Sequence, residues 1–307
     1  MIIKHLSQII LISMLVTACM KNPSTPIATT TPQPSPTPTF APEKFGTSDL
    51  DVTYCTPNNI PQKMDVYYPA AGGPWPVIFY VHGGGWNAGD KAEGVGWRGM
   101  NDRGFLVISV NYRLASYENK IPEMISDIKC AMRYLRAHAT EYNLDANHIG
   151  AVGASAGGHL VALLGTADSS AGWDSGEYVD QSSRVEAVVS MSGFSDFTRV
   201  MYNSIATAVY YAVGVLPGSN SPLNVAASPV TYITPDDPPF LIIHGDKDGI
   251  APLEQSQILD AKLRGAGVPS TLVIVKNGDH SLQGDNISPS TDEISKLISD
   301  FFETHLK

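Results

Sequence analysis

The chain is poor in cysteine and in basic residues. Its 307 residues include 3 cysteines and 8 histidines, without the spacing of a metal site, so no metal or other cofactor is expected. Lys and Arg number 20 against 30 Asp and Glu, which gives a formal net charge of −10. Such an acidic surface argues against nucleic acid as a partner and against electrostatic adhesion to anionic lipid.

Apolar runs of membrane-spanning length are also missing from the sequence. Lys4 precedes a mostly apolar stretch at 9–16, which fits a secretory signal peptide over residues 1–18. The small residues before Cys19 resemble a bacterial lipoprotein box, in which the leader is removed and the cysteine carries lipid. We therefore expect an extracytoplasmic protein anchored to a bacterial membrane by lipid. Cleavage of an ordinary signal peptide nearby is the alternative and would give a secreted protein.

The segment after Cys19 has almost no apolar residues. From Lys21 to Pro42 it consists largely of Pro, Thr and Ser, a composition that cannot form a packed core. We predict a lipidated, disordered tether over 19–46 and a single catalytic domain over 47–307. Cys55 and Cys130 would remain after lipidation, and their spacing leaves open whether they form a disulfide or stay as two buried thiols.

Short apolar segments alternate with helical patterns along the predicted domain. Apolar residues recur at helical spacing over 121–138 and again over 294–306. The alternation predicts an α/β fold with a mainly parallel central sheet flanked by helices. An early strand at 51–54 is expected to pair with 64–68. The other strand segments are 77–81, 106–111, 149–152, 187–191, 240–244 and 271–275.

A long interval separates two of these strands, at about 194–238. We interpret it as a small lid inserted beside the site. Tyr202, Tyr210 and Tyr211 lie in an apolar helical stretch of this interval. Aromatic residues in such a stretch more often form the core of a lid than a surface that contacts substrate.

Two glycine-rich turns follow predicted strands. GASAG at 153–157 lies between an apolar run and a helical pattern, the setting of a nucleophile elbow, in which small neighbours permit a tight turn and leave the serine hydroxyl exposed. HGGGW at 82–86 follows the strand at 77–81. Its consecutive glycines can present free backbone N–H groups to an oxyanion.

Two later strands end in polar loops, HGDKD at 244–248 and GDH at 278–280. Serine, aspartate and histidine thus occur in that order, each just past the carboxyl end of a strand. Open α/β sheets place their sites at this edge. The order is also that of the α/β-hydrolase triad.

Five motifs occur in sequence from residue 82 to residue 282: HGGGWNAGDK, VNYRL, VGASAGGHL, HGDKD and GDHSL. Together they resemble the α/β-hydrolase esterases, in particular the hormone-sensitive-lipase-like group and the neighbouring feruloyl and acetyl-xylan esterase-like family. The resemblance covers nearly everything from about residue 47. The chain departs from the former group where Leu114 is not followed by Ala-Pro-Glu and where no helical cap precedes His82, so the carbohydrate-esterase neighbourhood fits better.

The resemblance implies an α/β-hydrolase fold and a serine carboxylesterase. Ser155 would be the nucleophile, His280 the general base and Asp248, the second Asp of HGDKD, the acid. Asp246 is expected to brace its turn by hydrogen bonds of the Asx type, and Asp279 to order its loop.

Backbone amides of Gly84, Gly85 and Ala156 would bind the oxyanion. Trp86 is a candidate for substrate contact and could equally be a packing residue. The expected substrates are short-chain acyl or hydroxycinnamoyl esters, either small molecules or groups on polysaccharide. A small-substrate amidase or formamidase, and a non-catalytic surface-binding protein on the same fold, are the alternatives.

Overall fold

The computed structural model describes residues 40–307. The predicted signal peptide, the predicted lipidation site Cys19 and the tether up to residue 39 lie outside the described residues.

Eight strands form one sheet in the order β1-β2-β4-β3-β5-β6-β7-β8. β1 and β2 are antiparallel to their neighbours, and every pairing from β4 to β8 is parallel. The mainly parallel sheet is confirmed, as is the early pairing of β1 with β2. The strands are β1 Ser48–Cys55, β2 Gln62–Tyr67, β3 Trp75–Val81, β4 Leu106–Val110, β5 Leu144–Ala154, β6 Ala187–Met191, β7 Phe240–Gly245 and β8 Ser270–Val275.

Helices cover both faces of the sheet. α1, α3 and α6 pack on one face, and α7 packs on the other together with a 3₁₀ helix, Lys91–Arg103. Both faces of the central strands are therefore buried, which explains their continuous apolar runs. The α-helices are α1 Ile121–Ala137, α2 Ala139–Tyr142, α3 Ala156–Thr166, α4 Asn203–Val213, α5 Pro222–Ala227, α6 Leu253–Gly265 and α7 Thr291–Leu306. No helix among residues 40–307 is both long and apolar enough to cross a membrane.

Strand order reverses between β3 and β5, which lie side by side in the sheet. Their parallel register pairs Val81, the last residue before HGGGW, with Gly153, the first residue of GASAG. The two turns are therefore adjacent at the carboxyl edge. This is the crevice in which open α/β sheets bind ligands.

The packed domain begins earlier than the sequence predicts. Phe40 and Phe45, which belong to the predicted tether, lie against Trp75 with ring centroids 5.3 Å and 5.6 Å away. Both rings pack on the main core. The packing therefore extends to residues that the sequence assigned to the tether, because two isolated aromatic residues within a Pro-rich stretch give no periodic signal.

A disulfide joins Cys55 to Cys130, 75 residues apart in the sequence. Cys55 ends β1 and Cys130 lies in α1. Of the two possibilities that the sequence left open, the structure has the bridge. A cross-link across a loop of this length typically stabilises a fold by about 4 kcal/mol, mainly by restricting the unfolded chain.

Candidate active site

Ser155 occupies a strained turn between β5 and α3. Its backbone has φ 55° and ψ −120°, a combination that non-glycine residues rarely adopt. Its N–H donates to Met191 O at 2.8 Å, which ties the turn to the end of β6. The structure therefore has the nucleophile elbow that GASAG predicts, with the serine at the tip.

The small residues around Ser155 are required by close backbone contacts. A methyl group built on Gly157 would lie 2.1 Å from Val81 O, and one on Gly153 would lie 2.5 Å from the carbonyl carbon of Gly157. Neither contact is possible in a folded protein. Glycine at these two positions lets the first turn of α3 lie against the end of β3 at Val81.

The HGGGW turn lies beside this elbow. A methyl group built on Gly83 would be 3.6 Å from Ser155 Cβ. Gly84 and Gly85 both have positive φ, 99° and 60°, which glycine adopts freely. Within residues 40–307 their N–H groups donate no hydrogen bond. Ala156 is the first residue of α3, where an N–H has no acceptor within the helix. Gly84, Gly85 and Ala156 therefore offer backbone N–H groups on the two turns that meet at Ser155.

Asp248 and His280 are brought together from separate loops. His280 Nδ1 lies 2.7 Å from Asp248 Oδ2, and the aspartate side chain is completely buried. Backbone N–H groups of Ile250 and Ala251 donate to Asp248 Oδ1, both at 2.8 Å. A carboxylate only accepts hydrogen bonds, so Nδ1 of His280 carries the proton. Nε2 is then the nitrogen that can accept one.

The environment keeps Asp248 ionised. Burial by itself would raise the pKa of this carboxyl. The neighbouring imidazoles of His244 and His280, with the Ile250 N–H, outweigh burial and hold the pKa well below its ordinary value. Asp248 is therefore a fixed negative charge at neutral pH.

The two neighbouring aspartates order the loops that carry these groups. Asp279 accepts from the N–H groups of Ser281 and Gln283, at 2.8 Å and 3.0 Å, so it orders the His280 loop as expected. Asp246 does not brace its own turn. Its Oδ1 accepts from Asn277 N–H at 2.7 Å, which links the Asp248 loop to the His280 loop. The sequence could not show this link because the partner lies 31 residues away.

Comparison with known proteins identifies the family of the chain. Residues 64–263 match the BD-FAE family. The chain belongs to this family. The match confirms the resemblance inferred from the motifs, and the parallel sheet with flanking helices is the α/β-hydrolase fold of these esterases.

Relatives of this BD-FAE chain include named esterases. A probable carboxylic ester hydrolase of Mycobacterium tuberculosis, LipM, is 34% identical over 199 residues, which are 62% of this chain and 46% of that protein. The chain thus spans about half the length of the curated relatives that it matches.

Two solved structures resemble the BD-FAE chain over most of its length. One is a truncated carbohydrate esterase from gut microbiota, with a TM-score of 0.72 and 29% identity over 86% of this chain and 98% of that one. The other is a thermophilic esterase from Thermogutta terrifontis solved with butyrate bound, with a TM-score of 0.66 and 25% identity over 85% and 92%.

Trp86 is not placed to contact substrate in the BD-FAE domain. Its side chain is 0% exposed. The indole N–H donates to Nδ1 of His159 at 3.2 Å, and the ring packs on Phe194 and Phe197. The proposed substrate contact is therefore corrected to a packing role, the alternative that the sequence allowed. Trp86 follows two glycines with positive φ and itself has φ 64°, which turns the ring inward.

The lid interval of the BD-FAE chain contains α4 and α5. The inner face of α4 is buried through Ile205, Val209 and Ala212. A methyl group built on Gly85 would lie 3.9 Å from Ala208 Cβ, so this helix passes directly beside the predicted oxyanion loop. Lys120 Nζ donates to Tyr211 O at 2.9 Å near the end of the helix.

The lid tyrosines do not form its core. Tyr202, Tyr210 and Tyr211 are 74%, 48% and 53% exposed. The expectation of an aromatic lid core is wrong, since α4 buries its aliphatic residues instead. Tyr210 and Tyr211 are therefore exposed on α4, the helix whose Ala208 lies beside Gly85.

A metal site has little support among the described residues. The grouping of potential ligands found there is Cys55, Cys130 and Glu177. Both sulfurs are joined in the disulfide, so they offer no thiolate to a metal ion.

Proposed function

We propose that the protein is a serine carboxylesterase with the triad Ser155, His280 and Asp248. One observation carries the proposal. The buried Asp248 holds His280 at 2.7 Å through Nδ1, while Ser155 projects from a strained elbow beside the unpaired amides of Gly84 and Gly85.

In the first half of the reaction, Nε2 of His280 accepts the hydroxyl proton of Ser155. The serine oxygen forms a bond to the ester carbonyl carbon, and the carbonyl electron pair moves onto oxygen. Backbone N–H groups of Gly84, Gly85 and Ala156 bind that oxyanion. Asp248 stabilises the imidazolium without itself taking a proton. Collapse of the tetrahedral intermediate expels the alcohol, which takes the proton from His280 and leaves an acyl-enzyme.

Water completes the cycle by the same steps, with water as the nucleophile and Ser155 as the leaving group. His280 removes a proton from water, which attacks the acyl carbon and forms a second oxyanion in the same site. Breakdown returns the proton to Ser155 and releases the acid. No step requires a charge on the protein other than those of Asp248 and the transient imidazolium.

The substrates that we propose are short-chain acyl or hydroxycinnamoyl esters on polysaccharide. The exposed Tyr202, Tyr210 and Tyr211 support this class, because aromatic rings with a polar tip suit contact with a partly apolar, hydroxyl-rich ligand. Similarity to a carbohydrate esterase and to a butyrate-bound esterase supports it as well.

Covalent labelling tests the nucleophile. The wild-type protein should react with a fluorophosphonate probe at Ser155, and Ser155→Ala should abolish both labelling and turnover of a p-nitrophenyl ester. Ser281→Ala is the matched control, since this exposed serine lies next to His280. Labelling that persists in Ser155→Ala would refute the proposed nucleophile. A wild-type protein that takes no label would favour a binding protein.

A substrate panel tests the class. p-Nitrophenyl esters of increasing chain length should show rising activity over the first few carbons, by roughly 0.8 kcal/mol per methylene bound, and then a fall. Methyl ferulate and acetylated xylan should be cleaved. An optimum at a long acyl chain without release of ferulate or acetate would favour a lipase, and faster turnover of the matched amides would favour an amidase.

We propose further that the domain works outside the cytoplasm, anchored by lipid at Cys19. The Cys55–Cys130 disulfide supports an oxidising location, where such bonds persist. Cys19→Ser should move the protein out of the detergent phase in a detergent partition of cells that express the full chain. Wild-type protein found entirely in the aqueous phase would rule out the anchor.

A further inference from the structure

A second imidazole contacts the proposed catalytic aspartate. His244, the one histidine of β7, is completely buried, and its Nε2 lies 3.2 Å from Asp248 Oδ2. The same nitrogen is hydrogen-bonded to Ala251 O at 3.0 Å. On the other side of the ring, Nδ1 lies 2.7 Å from the hydroxyl of Ser256 in α6.

These partners determine where the proton of His244 resides. Ala251 O and the ionised carboxylate of Asp248 can only accept hydrogen bonds, so Nε2 must carry a proton. The Ser256 hydroxyl can donate to Nδ1, so both ring nitrogens of His244 are hydrogen-bonded. The Nε2–H therefore points between a backbone carbonyl and the oxygen of Asp248 that also binds His280.

Ala251 connects the two residues a second time. Its carbonyl accepts from His244, and its N–H donates to Asp248 Oδ1 at 2.8 Å. The imidazole of His244 thus holds the backbone of Ala251, whose N–H holds Oδ1 of Asp248. The same imidazole lies directly against Oδ2. Ser256 ties the arrangement to α6.

We infer that His244 is a positioning residue of the reaction that acts through Asp248. Its Nε2–H holds the carboxylate in the plane of His280 and takes up part of the negative charge on Oδ2. The inference rests on the proposed triad. It assigns to the first residue of HGDKD a role that the motif alone does not reveal.

Loss of the donor to Oδ2 should change the behaviour of His280 in a definite direction. Without the Nε2–H, more negative charge remains on Asp248, and the imidazolium of His280 is stabilised further. The pH at which His280 becomes active should then rise. The charged groups nearby are Asp246 and Asp279, which accept backbone N–H groups of the two loops, and the exposed Lys247 and Glu254. All four are the same in wild type and in the variants, so the comparison cancels their contribution.

Two amide substitutions separate this role from packing. In His244→Gln the side-chain amide reaches the position of Nε2 and keeps a donor toward Asp248. In His244→Asn it reaches only the position of Nδ1, keeps the contact to Ser256 and loses the donor. The experiment measures kcat and KM of both variants and wild type on p-nitrophenyl acetate from pH 5 to 9.

His244→Asn should lower kcat on the order of 10-fold with little change in KM, since the loss is one of alignment. The acidic limb of its kcat/KM profile should move up by roughly half a pH unit. In His244→Gln the acidic limb of the kcat/KM profile should stay at its wild-type pH. Equal profiles for both variants and wild type would overturn the inference and leave a packing residue.

A measurement on the wild-type chain decides the matter if the variants do not fold. Phosphonylation of Ser155 by the fluorophosphonate probe changes the protonation of His280, so the NMR signal of the His244 Nε2 proton should shift if it lies on the shared carboxylate. An unshifted signal would overturn the inference. Absence of labelling in wild type would instead refute the triad, which keeps the two failures distinct.

Discussion

Two sets of aromatic residues flank the candidate active site and behave in opposite ways. Trp86 directly follows the glycines of the predicted oxyanion loop and is fully buried among His159, Phe194 and Phe197. The lid tyrosines lie far from every motif in the sequence and are exposed, Tyr210 and Tyr211 on α4, which passes Gly85, and Tyr202 just before this helix. Nearness to a motif along the chain is therefore a poor guide to the exposure of an aromatic side chain.

The difference divides the site into a buried floor and an exposed rim. The floor comprises Asp248, His244, Trp86 and His159, which hold the reacting groups from below. The rim comprises Tyr211 on α4 and Tyr202 just before this helix, while Tyr210 is exposed on another side of α4. Changes in the floor should affect every substrate or the fold itself, whereas changes in the rim should affect only large substrates.

The largest effect is expected from the floor carboxylate. Asp248→Asn should lower kcat by about 10⁴-fold on all esters, because a donor opposite Nδ1 leaves the imidazole in the wrong tautomer. Asp246→Asn is the control and should alter stability more than kcat, since its carboxylate binds Asn277 N–H. Turnover of p-nitrophenyl acetate measures both. The reverse pattern in folded variants would move the catalytic acid to Asp246.

Removal of the buried indole should cost stability. Trp86→Ala should lower the free energy of unfolding by about 3 to 5 kcal/mol, through the cavity and the lost partner of His159. Denaturant unfolding followed by far-UV circular dichroism measures this, with Trp86→Phe as the milder comparison. A Trp86→Ala protein of wild-type stability with a raised KM would place the residue in the rim instead.

The floor should also make the fold sensitive to acid. Burial lowers the pKa of His159 to about 4. The unfolded chain binds this proton below about pH 6.5, and the folded chain does so only near pH 4, so stability is full above pH 6.5 and declines toward pH 4. Between pH 7 and pH 5 the contribution of His159 should fall by about 2 kcal/mol.

His159→Gln provides the comparison for that loss. The difference between the unfolding free energies of wild type and variant, measured at several pH values, isolates the histidine from other titrating groups such as Asp237, whose burial raises its pKa to about 6. A difference that stays constant from pH 7 to pH 5 would show that His159 does not titrate in this range.

The smallest effect is expected at the rim. Tyr211 lies three residues after Ala208 and so shares its side of α4, toward the oxyanion loop, whereas Tyr210 faces elsewhere. Tyr211→Ala should raise KM on acetylated xylan about 3- to 10-fold, the equivalent of one aromatic contact. KM on p-nitrophenyl acetate should not change. Tyr210→Ala is the matched control, and equal effects of the two on xylan would remove the distinction between the sides of the helix.

The sheet was predictable because its signals are local. Apolar runs such as 77–81 and 240–244 end in turn residues, and the period of α1 is regular over 17 residues. The 3₁₀ helix at Lys91–Arg103 gave no such signal, because Gly94, Gly96 and Gly99 interrupt its pattern and disfavour an ordinary helix.

The site was predictable only where chemistry requires a residue type at a fixed place in a motif. Ser155 and the GASAG glycines are of this kind. Contacts between distant segments are not: the link from Asp246 to Asn277, the disulfide and the turn of Trp86 toward His159 depend on how loops 31 to 75 residues apart meet. His244 was missed for the same reason, since Ser256 and Ala251 define its role only in three dimensions.

The disulfide also determines how the domain would respond to pulling. A force applied at Phe40 acts on β1, an edge strand that could be peeled from β2 one hydrogen-bonded pair at a time. Peeling would stop at Cys55, where the covalent link passes the load across to α1 at Cys130. Residues 56–129, which include the HGGGW turn, would carry no tension. Stretching from this end would extend about 15 residues, 40–54, while the HGGGW turn bears no load.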